Sequence, residues 1–255
     1  MNTSALQSHV QAINACNQRG ERMLSLVDLL DAGTVDLPVA AYLAAAMRSG
    51  ASLLVGANPG GAGKTAVMGA LLNFLPNQTT IRAVASPTIL ADAQHDSQPG
   101  HTCYLAHEIG AGYHYAYVWE QEARDFFRLA AHGHIIVANL HADTLNETHD
   151  QLCCENGVER RHVDAVTLKL YLRVERTKRW SLRRRVSHVY ENDGSQDHLL
   201  WTSDKRGRFT RHETLPGSLV SQEQADHYAQ LLNTLLQQDI RRIEEVRTRL
   251  LQQPA

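Results

Sequence analysis

The spacing of apolar residues divides this 255-residue chain into three stretches of different period. In the first, helical repeats give way to short continuous apolar runs. MLSLVDLLDAG, from Met23, predicts a short helix ended by Gly33. The segment opened by Asp36, Leu37 and Pro38 predicts a second, VAAYLAAAMRSG, with a proline near its first turn and Gly50 at its stop. ASLLVGA then reads as a strand, a glycine-rich turn follows, and AVMGALLNFL returns to helical spacing until Pro76. TTIRAVA predicts another buried strand, residues 103–109 a third and residues 134–140 (HIIVANL) one more, with a helix over 120–132. Strands alternating with helices predict a parallel sheet with helices on both faces.

After about residue 165 the period falls to two. VTLKLYLRVERT and RRRVSHVYENDGSQDHLLWTSD alternate apolar and polar residues, with turn signals at Lys178–Arg179 and at Asp193–Gly194. That pattern predicts half-exposed antiparallel strands in a hairpin or small meander. From Ser221 the helical period returns. Ser221 and Gln224 form a capping box, and Tyr228, Leu232, Leu235, Ile243, Val246 and Leu250 lie on one face of a single closing helix. Residues 1–22 are polar with scattered apolar positions and read as a tail or loose helix.

Composition narrows the class little. The chain is 43% hydrophobic and 20% charged, ordinary for a globular protein, which excludes wholesale disorder. Net charge is −2, so the overall balance selects no polyanionic partner, although Arg and Lys concentrate between residues 173 and 211. Cys16, Cys103, Cys153 and Cys154 form no C-x-x-C pair and suit neither a disulfide framework nor a zinc knuckle. His132 and His134, with His141 and His149 near them in sequence, do not converge on four metal ligands. No secretory signal is visible, and the longest apolar stretch, residues 37–55, is broken by Pro38, Arg48 and Gly50. The chain is expected in the cytoplasm and not to span a membrane.

The chemistry concentrates in LLVGANPGGAGKTAVMGA. A Gly-Lys-Thr triplet follows a predicted strand and opens a predicted helix, the context that gives a G-x-x-x-x-G-K-[ST] match its meaning. Gly60, Gly61 and Gly63 let successive backbone N–H groups turn toward phosphate oxygens, and the helix start adds its positive dipole end. Lys64 would reach the β- and γ-phosphates of ATP, and the Thr65 hydroxyl would ligate Mg²⁺. The candidate nucleotide-binding run is Asn58, Pro59, Gly60, Gly61, Ala62, Gly63, Lys64, Thr65 and Ala66. Asn58 stands where the pattern has its first glycine, and asparagine tolerates a left-handed backbone better than most residues.

The stretch from MLSLVDLLDAG through the loop to LLNFLP resembles the catalytic domain of the type II/type IV secretion and pilus traffic ATPases. AAHGHIIVANLHADTLNETHDQL is similar to that family's His box, CYLAHEIG to its Walker B strand, and VTLKLYLRVERTKRWSLRRRVSHVYE to its closing strands. The likeness covers roughly residues 23–210, and its His-box part is the more specific. It implies an α/β fold with a RecA-like P-loop core over about 35–165, a small antiparallel β extension over about 166–215 and a C-terminal helical segment over 216–255. It also implies ATP hydrolysis with Mg²⁺ by a ring of identical copies, a hexamer, working on a membrane-embedded secretion or pilus platform, with the protein at the inner face of the membrane. Glu108 becomes the Walker B carboxylate, orienting water or helping hold the metal; the bland alternative is an exposed strand-end acid. His141 becomes a γ-phosphate sensor, against an ordinary surface or core histidine among the 14 in the chain. His134 would be structural.

The match has departures. His107 replaces the glycine before Glu108, Gly110 replaces an arginine, and extra residues bring in Tyr113, Tyr115, Tyr117 and Trp119. No carboxylate stands near residues 85–87, where the family has an acidic box; the next is Asp92. Residues 1–22 are too few for the N-terminal domain most members carry, which supplies arginines across subunits; the candidates here are Arg82 and the run 183–185. These departures keep a weakly hydrolysing regulatory or assembly subunit as an alternative. A nucleic-acid motor is another, with Trp180 and Trp201 as stacking residues in a basic stretch that otherwise reads as a solvated or intersubunit face.

Overall fold

The computed structural model describes residues 3–17, 20, 22–58, 60–176, 182–212 and 219–252, with backbone alone at 3 and 4. Pro59, Trp180, the expected turn at Lys178–Arg179 and the expected boundary at 215–216 lie outside the described residues. In chain order the helices are α1 (Thr3–Ala15), α2 (Leu26–Asp31), α3 (Leu37–Arg48), α4 (Lys64–Leu72), α5 (Pro87–Ala93), α6 (Gln121–Ala131), α7 (Leu145–His149), α8 (Arg160–Asp164), α9 (Gln222–Gln237) and α10 (Ile243–Leu251). A π-helical turn, Asp150–Glu155, continues α7. The strands are β1 (Leu53–Gly56), β2 (Thr80–Ala83), β3 (Thr102–Ile109), β4 (Tyr117–Val118), β5 (Ile135–Leu140), β6 (Leu168–Arg176), β7 (Leu182–Asn192), β8 (Asp197–Ser203) and β9 (Phe209–Arg211).

The chain divides into two compact units, one of Met1–Gly50, Thr65–Gln78 and Gly217–Ala255, the other of Ala51–Lys64 and Thr79–Pro216. The first is helical. Ser221 with Gln224 caps α9 as the sequence predicts, and Asp36, where the sequence opens the second helix, caps α3. A second capping box, Ser25 with Asp28 at α2, was not singled out in the sequence. Helix α3 is buried continuously from Val39 to Met47, as a helix apolar all round must be. Within α4, a methyl group on Gly69 would stand 2.7 Å from the Met23 sulfur, so a larger residue there would push the Met23 side chain aside. Past the end of α4, the buried Arg247 guanidinium donates to the carbonyls of Asn73, Leu75 and Pro76. Burial pulls its pKa down to about 10. The single closing helix expected from the sequence is two, α9 and α10. The chain breaks at Asp239, whose φ of 54° no regular helix accommodates, and Arg242 restarts it in an extended conformation.

The second unit is built on one nine-stranded sheet in the order β2-β3-β5-β1-β6-β7-β8-β9, with β4 added beside β3. β2, β3, β5, β1 and β6 pair in parallel along that order, and from β6 to β9 each pair is antiparallel. This is the α/β, RecA-like arrangement: the strand entering the glycine loop (β1) is separated from the Glu108 strand (β3) by β5. Two expectations change in detail. β2 is the sheet edge, with only Ile81 of its four residues buried. β6 is buried over its first five residues because that half pairs in parallel with β1, and only its far half is half-exposed. The core of this unit gathers Leu54, Tyr104, Phe126, Phe127, Ile136, Leu140 and Leu152. Among the described residues, no helix is long and apolar enough to cross a membrane.

Candidate functional site

Parallel strands end together, so the loops after β1, β3 and β5 meet at one edge of the sheet, where open α/β sheets bind their ligands. β1 leaves the sheet at Gly56. A methyl group there would stand 2.4 Å from the Ala142 carbonyl oxygen and 2.7 Å from the Tyr171 ring, so the close approach of β1 to the chain beyond β5 requires glycine. In the loop, Gly61 (φ 79°) and Gly63 (φ 95°) carry the left-handed bends; Gly60 stands in open space with no such φ. Ala62 is buried.

Asn58 does not use its tolerance for a left-handed backbone, since it is not among the positive-φ residues. It earns its position through hydrogen bonds instead. Its backbone N–H donates to Asp143 Oδ1 at 2.8 Å, and its side-chain amide donates to Glu147 Oε2 at 3.3 Å. Lys64 is 8% exposed, donates to the Ala57 carbonyl at 3.1 Å, and its ammonium lies 3.3 Å from Glu108 Oε1. Thr65 and Ala66, half-buried in the first turn of α4, group with the helical unit.

Glu108 is not an exposed strand-end acid. Its side chain is 9% exposed, and among the described residues Oε1 accepts no hydrogen bond despite the ammonium nearby. The geometry comes from a register shift between β3 and β5, which pair at Ala106–Ala138 and resume at Ile109–Leu140. Such irregularities re-aim side chains. The extra residues after Gly110 explain the rest. They return as β4, which pairs Tyr117 beside Glu108 and Val118 beside Ile109, so Glu108 is covered. His107 stacks on Tyr117 at 6.3 Å, which gives the residue in place of glycine a structural role. Burial, and then the Glu108 carboxylate, push the Tyr117 phenol above its ordinary pKa. Tyr113 at the loop tip is fully exposed.

At the end of β5, the His141 side chain is 48% exposed, and its Nε2 lies 3.8 Å from Glu108 Oε1. Asp143 and Glu147 turn toward the glycine loop, as described, and Asp143 N–H donates to Glu147 Oε2 at 2.8 Å. Two residues not singled out in the sequence hold this edge together. Asn139, fully buried in β5, donates to the His107 carbonyl at 2.9 Å across the register shift. Gln151, in the π-helical turn, accepts from His141 N–H at 3.1 Å and donates to the Ile109 carbonyl at 2.9 Å, clamping the ends of β5 and β3. Asn139 was detectable as the one polar residue in an apolar strand, because a buried amide needs partners. Gln151 gave no comparable signal; π-turns collect at functional sites, but the sequence does not mark them.

The remaining candidates divide. Glu108, His141, Lys64 and the loop through Gly63 come together. Arg184, on β7, also reaches the loop, donating from Nε to the Gly61 carbonyl at 2.7 Å. Arg82 pairs with Asp92 at 3.1 Å, and Arg185 is buried 3.5 Å from Glu175. Trp201 is 4% exposed with the Arg211 guanidinium over its ring at 5.4 Å, so stacking on a nucleobase is not open to it. His134 is buried with its ring against Tyr104, a packing role. Among the described residues no group of three or more His, Cys, Asp or Glu is arranged to hold a metal ion.

No protein-family model matches the chain, and neither does any curated protein sequence. Two solved structures to which it is similar are ATPases. One is the VirB11 ATPase from the Brucella suis type IV secretion system in complex with sulphate, at 21% identity and a TM-score of 0.41 over 65% of this chain and 54% of that one. The other is the Yersinia pseudotuberculosis ATPase DotB, at 9% identity and a TM-score of 0.44 over 82% of this chain and 59% of that one. The chain thus spans less than two thirds of either.

Proposed function

We propose that this chain binds and hydrolyses ATP with Mg²⁺ and works as a ring of identical copies, a motor of the secretion and pilus traffic ATPase kind, in the cytoplasm against a membrane-embedded platform protein. The observation that carries the reading is the buried Lys64–Glu108 pair, 3.3 Å apart, at the mouth of a glycine loop entered from β1. The residues fit the ligand. Gly61 and Gly63 hold the left-handed bends that turn N–H groups inward, and Glu108 Oε1 is a buried carboxylate oxygen with no hydrogen bond among the described residues.

Bound Mg·ATP supplies the phosphoanhydride bond that is cleaved. This chain's residues do the rest. Lys64 would neutralise developing phosphate charge, and the Thr65 hydroxyl would help hold Mg²⁺. Glu108, buried beside β4, would accept a hydrogen bond from the attacking water or help hold the metal. His141, at the same edge, reads the terminal phosphate. Asn139 and Gln151 are positioning residues that fix where Glu108 and His141 stand.

The test is steady-state phosphate release with Mg·ATP over a range of protein concentrations, wild type beside Lys64→Ala. Lys64-dependent release that rises more than linearly with concentration is expected. Release that is identical in both proteins would defeat the reading.

A further inference from the structure

The run 183–185 offers three arginines, and the strand pleat sends neighbours to opposite faces. Arg185 goes inward to Glu175. Arg184 goes to the glycine loop of its own chain. Its Nε donates to the Gly61 carbonyl at 2.7 Å, and its Cδ lies 3.1 Å from where a methyl group on Gly63 would stand. Its stem therefore lies along the loop between two glycines whose left-handed backbone shapes it.

The charges around it are unequal. Lys64 has a carboxylate, Glu108, at ion-pair distance. Arg184 has none among the described residues, although it is half-buried. A partly desolvated cation without a counter-charge is costly, and its cost is removed by an anion. With Nε held by Gly61, the two terminal guanidinium nitrogens have no hydrogen bond among the described residues, and they form the planar fork that suits phosphate oxygens.

Resting on the nucleotide reading above, we infer that Arg184 is a phosphate-binding residue of its own chain's site. Its terminal nitrogens take oxygens of the terminal phosphate, and the site thereby tells a nucleoside triphosphate from a diphosphate. The arginine is supplied in cis from β7, anchored on Gly61, rather than by a neighbouring subunit.

Isothermal titration of the full chain with Mg·ATPγS and with Mg·ADP separates the possibilities. Arg184→Gln removes the charge and the fork while keeping an amide able to donate to Gly61; Arg184→Lys keeps charge alone. The expected result is a roughly tenfold loss of ATPγS affinity in Arg184→Gln, a smaller loss in Arg184→Lys, and ADP affinity within about threefold of wild type in both. Unchanged ATPγS affinity, or an equal loss for both nucleotides, would overturn the inference and leave Arg184 as a loop brace. Lys64→Ala is titrated in parallel. If it binds like wild type, or if wild type binds neither nucleotide, the nucleotide reading itself falls.

Discussion

The ends of β3 and β5 lie side by side and each presents acidic residues to the same loop, yet they do different things with them. At β3 a register shift, a stacked His107 and the added strand β4 bury Glu108 beside the Lys64 ammonium and leave one of its oxygens without a hydrogen bond. At β5, Asp143 and Glu147 remain partly open to solvent and use their oxygens on the N–H of Asn58, the amide of Asn58 and the N–H of Asp143. The first carboxylate is buried, with one oxygen left without a hydrogen bond among the described residues. The second pair spends one oxygen of each carboxylate on holding Asn58 and the chain after β5. Residue type is the same; burial and partners decide the role.

Removing Lys64 should give the largest effect, because it empties one side of a buried pair. Lys64→Ala is expected to cost about 3 kcal/mol of stability, and Lys64→Met/Glu108→Leu should recover most of that in thermal unfolding. If the single and double variants melt alike, the pair is not the buried contact described here. Glu108→Gln should lower phosphate release by about a hundredfold or more while nucleotide affinity stays within a few-fold, since the amide fills the same space but cannot serve as a base.

Gln151→Ala sharpens the contrast between the two strand ends, because it frees both at once. A loss of about 1–3 kcal/mol is expected, with slower phosphate release and little change in affinity. Asp143→Ala should be smaller still. It removes one bond to the Asn58 N–H, so affinity should fall only a few-fold and stability by about 1 kcal/mol or less. Turnover lost as completely as in Glu108→Gln would erase the distinction between the two ends.

Much of this was legible in the chain. Glycines 61 and 63, the Gly-Lys-Thr triplet and the apolar runs of β1, β3 and β5 carry local signals strong enough to predict strand, loop and helix in order. Asp36 and Ser221 marked helix starts for the same reason. What escaped depends on pairing distant in sequence. β4 is two residues long and exists because it pairs with the bulged end of β3. Gln151 matters because a π-turn brings it between two strand ends. The break at Asp239 has neither glycine nor proline to announce it. Asn58 looked like a glycine substitute, and its actual reason, two carboxylates more than 80 residues away, is tertiary.

The most direct test is equilibrium binding of Mg·ATPγS to wild type, Glu108→Gln and Lys64→Ala, with thermal unfolding confirming that each is folded. Binding is expected in wild type and Glu108→Gln, and a loss of about a hundredfold in Lys64→Ala. A folded Lys64→Ala variant that binds as tightly as wild type would contradict the account.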